Sequence, residues 1–252
     1  MARKNRLDVE LLERGLAPSR ARAQALIIAG KVQVDGLVVN KAGTPVRPEA
    51  SIEVATPDHP YVSRGALKLV AALDAFSISP QGIDCLDVGA STGGFTDLLL
   101  ERGARRVIAL DVGRGQLDWK LRTDPRVVVM EGVNARHLGE VELPFSVTLA
   151  TVDVSFISLK MVVPALLSHL KPPGWLVCLV KPQFEAGRQQ VGKGGIVRDE
   201  SIRRGAVDAT VAALEDLGLE RVGVLPSPIR GQKGNLEELA VFRVTSSPRL
   251  ED

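Results

Sequence analysis

Hydrophobic positions along this chain recur at two spacings, and the places where one gives way to the other mark its elements. Between residues 6 and 15 they fall at helical intervals, with Leu7, Val9, Leu11 and Leu12 on the predicted inward face and Gly15 as the stop. Ser19 is placed to cap a second helix over residues 20–29, which Gly30 ends. Alternation then replaces the helical period. Lys31-Val32-Gln33-Val34 and Leu37-Val38-Val39 flank Asp35-Gly36, a hairpin dipeptide, and Ser51-Ile52-Glu53-Val54 supplies another strand. The pattern predicts a small α+β unit over residues 1–56.

Thr56-Pro57-Asp58-His59-Pro60 interrupts both periods, so a linker is expected over residues 57–62 and a second domain over 63–246, with 247–252 as a tail. A helix is predicted from Tyr61 to about Phe76; in it Lys68 falls among Leu67, Leu69, Val70 and Leu73, where period alone makes it a snorkelling surface lysine. Strand and helix patterns then alternate. Apolar strands are expected at 83–86, 106–111, 127–131, 147–153 and 175–182, with helices at 95–102, 158–170 and from the Asp199 cap to about 217. A Pro172-Pro173-Gly174 turn precedes the fifth strand, and two more strands close the domain at 221–225 and 239–244. Near-continuous apolar strands separated by helices predict an α/β, Rossmann-like fold: a mostly parallel sheet covered on both faces.

Composition narrows the class. At 252 residues and 45% hydrophobic, without an 18-residue apolar run, the chain reads as a globular protein with a real core. Met1-Ala2-Arg3-Lys4-Asn5-Arg6 is basic but no apolar stretch follows, so a cytosolic protein is expected. Cys85 and Cys178 sit in apolar runs without C-x-x-C spacing, and His59, His137 and His169 are scattered; core packing and no bound metal are expected. The net charge of +2 hides an asymmetry, because residues 1–56 hold nine Lys/Arg against six Asp/Glu.

The candidate chemistry lies between the first strand and its helix. Asp87-Val88-Gly89-Ala90-Ser91-Thr92-Gly93-Gly94-Phe95-Thr96 is a bend of small residues whose free N–H groups lead into a helix start, the usual construction of a nucleotide site. Its glycines miss the G-x-G-x-x-G spacing of dinucleotide loops. The pattern D-x-G-x-x-x-G-G resembles the S-adenosylmethionine loop of Rossmann-like methyltransferases; the other reading is a structural turn. Asp87, Asp111, Asn134, Asp153 and Lys181 all close strands and so collect at one rim of the sheet. Asp111 suits ribose hydroxyls, and Asn134 either reads an adenine edge or forms a turn. Residues 184–198 are Gly-rich and basic, as a mobile loop closing on an anionic substrate would be, with Arg188 and Lys193 facing it.

The N-terminal unit, with Arg20, Arg22 and Lys31 near one edge, resembles the S4 RNA-binding domain; Arg6 and Arg64 extend the basic set. It holds no Phe, Tyr or Trp, which favours backbone contacts on folded RNA over base stacking, the alternative being an ordinary solvated face. The S4-like unit, the glycine loop and Lys68, Asp153, Lys181 and a late Glu together resemble the TlyA family of FtsJ-like ribose methyltransferases over nearly the whole chain. That resemblance implies S-adenosylmethionine-dependent methylation of cytidine 2′-hydroxyls in ribosomal RNA of one or both subunits. It implies a tetrad of Lys68, Asp153, Lys181 and Glu237, with Glu237 taken over its neighbour Glu238 from its place in Gly234-Asn235-Leu236-Glu237. Lys181 either takes the hydroxyl proton or stays charged and steadies the developing alkoxide. Asp153 as a helix cap and Lys181 as a phosphate ligand are the plainer readings. A non-catalytic ribosome-binding factor and a haemolysin, a label carried by related proteins, are the competing functions.

Overall fold

A computed structural model describes residues 4–17, 19–28, 30–54 and 59–245. The chain forms two compact units, Met1–Pro60 and Tyr61–Asp252. The expected linker lies partly, and the expected tail wholly, outside the described residues.

In the first unit, β1 (Asn5–Arg6) leads into α1 (Leu7–Glu13) and α2 (Arg20–Ile28), followed by β2 (Val32–Val34), β3 (Leu37–Val38), β4 (Pro45–Val46) and β5 (Ile52–Val54). Ser19 Oγ accepts the Arg22 N–H as the cap of α2. Asp35 and Gly36 both take positive φ, 49° and 79°, and turn β2 onto β3 with Val34 opposite Leu37. Leu7, Leu11, Ala23, Ile27 and Val32 form the core. Leu12 departs from its predicted inward place and is 42% exposed. The one-turn spacing of Leu7 and Leu11 fixes the buried stripe of this short helix, and the remaining inward positions are taken by the carboxylates of Asp8 and Glu10.

The second unit contains α3 (Ala66–Ala75), β6 (Asp84–Val88), α4 (Gly94–Glu101), β7 (Arg106–Asp111), α5 (Trp119–Arg122), β8 (Val127–Glu131), β9 (Val147–Val152), α6 (Leu159–Leu167), β10 (Leu170–Val180), α7 (Pro182–Glu185), α8 (Glu200–Glu215), β11 (Glu220–Pro226) and β12 (Glu238–Val244). The sheet order is β11-β12-β10-β9-β6-β7-β8. Five strands are parallel, and β12 runs against both its neighbours, β10 and β11. One face packs α6 and α8 through Val162, Val163, Leu166, Val207, Val211 and Leu214; the other packs α3 and α4 through Leu69, Leu73, Leu98 and Leu99.

Two boundaries differ from expectation. The helix predicted from Tyr61 begins at Ala66, because the preceding residues form tight turns, Ala66 N–H to Ser63 O and Leu67 N–H to Arg64 O, while Val62 N–H is held by the Asp97 carboxylate of α4. The helix predicted to run to residue 170 ends at Leu167, and Leu170 already belongs to β10, which continues through the expected Pro172-Pro173-Gly174 turn. Proline has no N–H to give, and the pairing with β9 shifts register between Leu170 and Trp175. After β6 the chain builds outward through β7 and β8, whereas β9 returns to the other side of β6. The crevice between the ends of β6 and β9 is therefore the switch point where such sheets bind ligands.

Candidate active site

The glycine bend is shaped first by its own protein. Gly89 has φ +86°, and a Cβ there would sit 2.4 Å from the Asp153 carbonyl oxygen, so the ends of β6 and β9 approach only because residue 89 is glycine. Gly93, at φ +97°, caps α4 in a left-handed conformation against Leu117 and Leu121. Gly94 leaves room for Ser63. Within this frame Asp87 is wholly buried, and its carboxylate accepts the hydroxyls of Thr96 at 2.7 Å and Thr151 at 3.1 Å. Burial is the largest influence on it and pushes its pKa up to about 7. Thr96 is buried behind the bend and reaches it through Asp87, while Phe95, also buried, borders the small cavity beside Asp87.

Three adjoining cavities share Gly89, Ser91 and Asp153. One, of about 520 Å³, has apolar walls of Leu110, Val133 and Ile157 with Asp111 and Asn134 at its rim. Asp111 accepts the backbone N–H groups of Ser91 and Gly113, which leaves further lone pairs on each oxygen. Asn134 Oδ1 accepts the Arg136 N–H and caps the 3-10 turn Ala135–Glu140, so its turn role is present in the structure. A small cavity beside Asp87, Ala90, Thr92 and Gly94 is also lined by Ser63 and Gly65.

The third cavity, of about 290 Å³, collects all four tetrad residues. Lys68 is buried rather than snorkelling, and its Nζ donates to Glu237 Oε2 at 2.6 Å. Lys181 Nζ lies 2.5 Å from Asp153 Oδ1 and donates to Ser155 Oγ at 3.0 Å. Asp153 caps no helix; Ser158 caps α6 instead. Glu237 is buried in the cavity wall while Glu238, one residue on, turns to Arg203 of α8 at 2.9 Å. Two lysines and two carboxylates cancel, and Lys233 adds one further positive charge to the lining.

Several wall residues escaped sequence reasoning. Ser155 and Gln183 gave no signal, and Phe156, 90% exposed at φ +65°, meets Phe184 at a ring distance of 5.0 Å on the outer wall. Asn235 is buried and accepts the Val197 N–H while donating to Gly195 O. That tie, the short helix α7 and a bridge between Gly192 and Ile196 give the expected mobile loop a defined path. Lys193 and Arg64 are exposed; nothing is described of the Arg188 side chain. In the first unit Arg22 and Lys31 are exposed, but Arg6 and Arg20 both turn their guanidinium groups to Asp8. Cys85 and Cys178 are buried, and burial pushes the Cys85 thiol up to about 12.

Comparison with known proteins agrees with this architecture. The family model for FtsJ-like methyltransferases matches residues 61–243, and that for the S4 domain matches residues 5–52. The chain is 51% identical over 251 residues to the Mycobacterium tuberculosis 16S/23S rRNA (cytidine-2′-O)-methyltransferase TlyA, covering 99% of this chain and 94% of that protein. It is 43% identical over 241 residues to Hemolysin A of Brachyspira hyodysenteriae, covering 94% and 99%. A solved structure from Streptococcus thermophilus superposes with a TM-score of 0.74 at 42% identity, covering 98% of this chain and 91% of that one.

Proposed function

The chain belongs to the FtsJ-like methyltransferases of the TlyA type, with an S4 domain before the catalytic sheet, and from that premise we propose that it methylates the 2′-hydroxyl of cytidine in ribosomal RNA. The observation that carries the reading is the convergence of Lys68, Asp153, Lys181 and Glu237 on one cavity that shares Gly89, Ser91 and Asp153 with the nucleoside-sized cavity beside it. S-adenosylmethionine would supply a methyl group already activated on a sulfonium. The larger cavity fits its nucleoside: apolar walls for a base, and Asp111 for ribose hydroxyls.

The protein's own work is then alignment and the handling of one proton. Lys181, against Asp153, meets the ribose oxygen as an ammonium and hands a proton to Asp153 as it takes the hydroxyl's, so positive charge stays beside the oxygen throughout. Lys68 and Glu237 pair in the same lining, and the unbalanced charge of Lys233 suits a substrate that enters with its phosphates. A name such as Hemolysin A suggests membrane attack; among the described residues no helix is long and apolar enough to cross a membrane.

Purified protein, the methyl donor and ribosomal RNA transcripts, read by mass spectrometry of nuclease digests, should yield ribose-methylated cytidine. Lys181→Ala should abolish transfer while calorimetry shows the donor still bound. Near-normal turnover of that variant would remove Lys181 from the mechanism. Donor binding without transfer to any ribosomal RNA would favour the non-catalytic ribosome-binding factor.

A further inference from the structure

Asp8 is set apart from an ordinary first-turn acid by its burial. It stands in the first turn of α1 and is completely buried, yet it is a carboxylate in a unit with a small core. Its oxygens are occupied from three directions. Arg6 donates through Nε at 2.9 Å and Nη2 at 3.1 Å, Arg20 through Nε at 3.0 Å, and Gln24 through Nε2 at 2.7 Å. The two arginines come from different elements, one ahead of α1 and one at the start of α2, and their side chains are 51% and 52% exposed. A buried acid therefore anchors the inner edges of two guanidinium groups whose outer edges face solvent.

Donor and charge counts point to a ligand. A guanidinium carries five N–H donors, and these bonds use two from Arg6 and one from Arg20. The remaining donors stay in planes fixed by Asp8, the pre-organised form in which arginine binds a phosphate in a forked manner at low entropic cost. Two arginines and one carboxylate leave a single positive charge, the complement of one phosphodiester. Arg14 makes the contrast: its guanidinium is spent on Glu10 and on the carbonyls of Pro48 and Ala50.

We propose that Asp8 is a positioning residue that assembles Arg6 and Arg20 into one fork for a backbone phosphate of folded RNA. The inference rests on the reading of the first unit as RNA-binding, and it is tested without the methyl donor, so its failure and that of the methylation reading are separate.

The test is Asp8→Asn in the full chain, with binding to 16S and 23S ribosomal RNA transcripts measured across a salt series. The substitution raises the protein's charge by one, so a role limited to overall electrostatics predicts tighter binding. The fork predicts binding about 10-fold weaker, with a salt slope shallower by about 0.7–0.9 for one lost phosphate contact. In an Arg6→Ala, Arg20→Ala background the same substitution should add no further loss, whereas a purely structural role would lower affinity in both backgrounds. Unchanged or tighter binding, or equal losses in the two backgrounds, would overturn the proposal. Should Asp8→Asn fail to fold, the wild-type side-chain resonances decide. The Nε–H signals of Arg6 and Arg20 should exchange slowly in free protein and shift together when RNA is added, and fast exchange or no shift would overturn it.

Discussion

Replacing Asp87 by Asn should stabilise the catalytic unit at alkaline pH and do little at acid pH. The carboxyl is fully buried and its pKa rises from 3.8 to about 7, chiefly through burial. Between those values the folded chain holds a proton that the unfolded chain has released. Stability therefore falls as pH rises through that interval; it is undiminished below about 4 and carries the whole penalty above about 7. At about 1.36 kcal/mol per pH unit the penalty is roughly 4 kcal/mol. Asparagine is neutral at every pH, has nearly the same shape, and can still meet Thr96 and Thr151, whose hydroxyls rotate to donate or accept.

Both tryptophans, Trp119 and Trp175, lie in this unit, so urea unfolding followed by their fluorescence reads it without interference from the first. Wild type and Asp87→Asn should differ by several kcal/mol at pH 8 and converge near pH 4. A constant difference between them, or a variant less stable at both pH values, would refute the burial argument. The same variant should bind S-adenosylmethionine more weakly, because Asp87 borders the small cavity next to the glycine bend. The charge is costly where it stands, which is the usual relation between a functional group and the fold that carries it.

Other consequences can be checked with single substitutions. Gly89→Ala imposes a left-handed φ on alanine and drives its Cβ against the Asp153 carbonyl; a loss of at least about 1–3 kcal/mol in urea unfolding, with weakened donor binding, is expected, and wild-type values of both would contradict the close approach. Glu237→Ala strands Lys68 in a buried site and should cost about 3–5 kcal/mol together with methyl transfer, whereas Glu238→Ala loses a partly exposed pair with Arg203, costs about 1 kcal/mol or less and keeps activity. Equal losses in the two would remove the basis for choosing Glu237, and a larger loss in Glu238→Ala would reverse the assignment. Cys85 and Cys178 should resist a thiol reagent until the fold opens, and rapid labelling in native buffer would show that the sheet is looser than described.

The sheet was legible because buried parallel strands read as unbroken apolar runs, and Asp111, Asp153 and Lys181 were legible because polar residues ending such runs must lie at one rim. Periodicity misled wherever a charge was buried by a partner distant in sequence. Lys68 looked like a surface lysine since its partner Glu237 lies 169 residues away. Asp8 carries no sign of its burial in the sequence, because the groups that cover it, Arg6, Arg20 and Gln24, are themselves polar. Leu12 erred the other way, an apolar residue left outside once Asp8 and Glu10 had taken the inner face. Ser155 and Gln183 carry no local signal, being small or neutral residues whose role exists only in the assembled cavity.

The direction of β12 explains why the last tetrad member comes from so late in the chain. A parallel seventh strand would bring its far end, Val244, to the rim where β10 ends. Because β12 is antiparallel, its first residue, Glu238, stands opposite Val180, the last of β10. Continuing that register by one places Glu237 opposite Lys181, at the mouth of the cavity. The alternation of the strand then decides between the neighbouring glutamates: one faces the cavity and Lys68, and the other faces α8 and Arg203. A slip of one residue in this pairing would exchange the two carboxylates. The register of β12 against β10 is thus as much a part of the site as the side chains, and the tetrad is complete only when the last strand has joined the sheet.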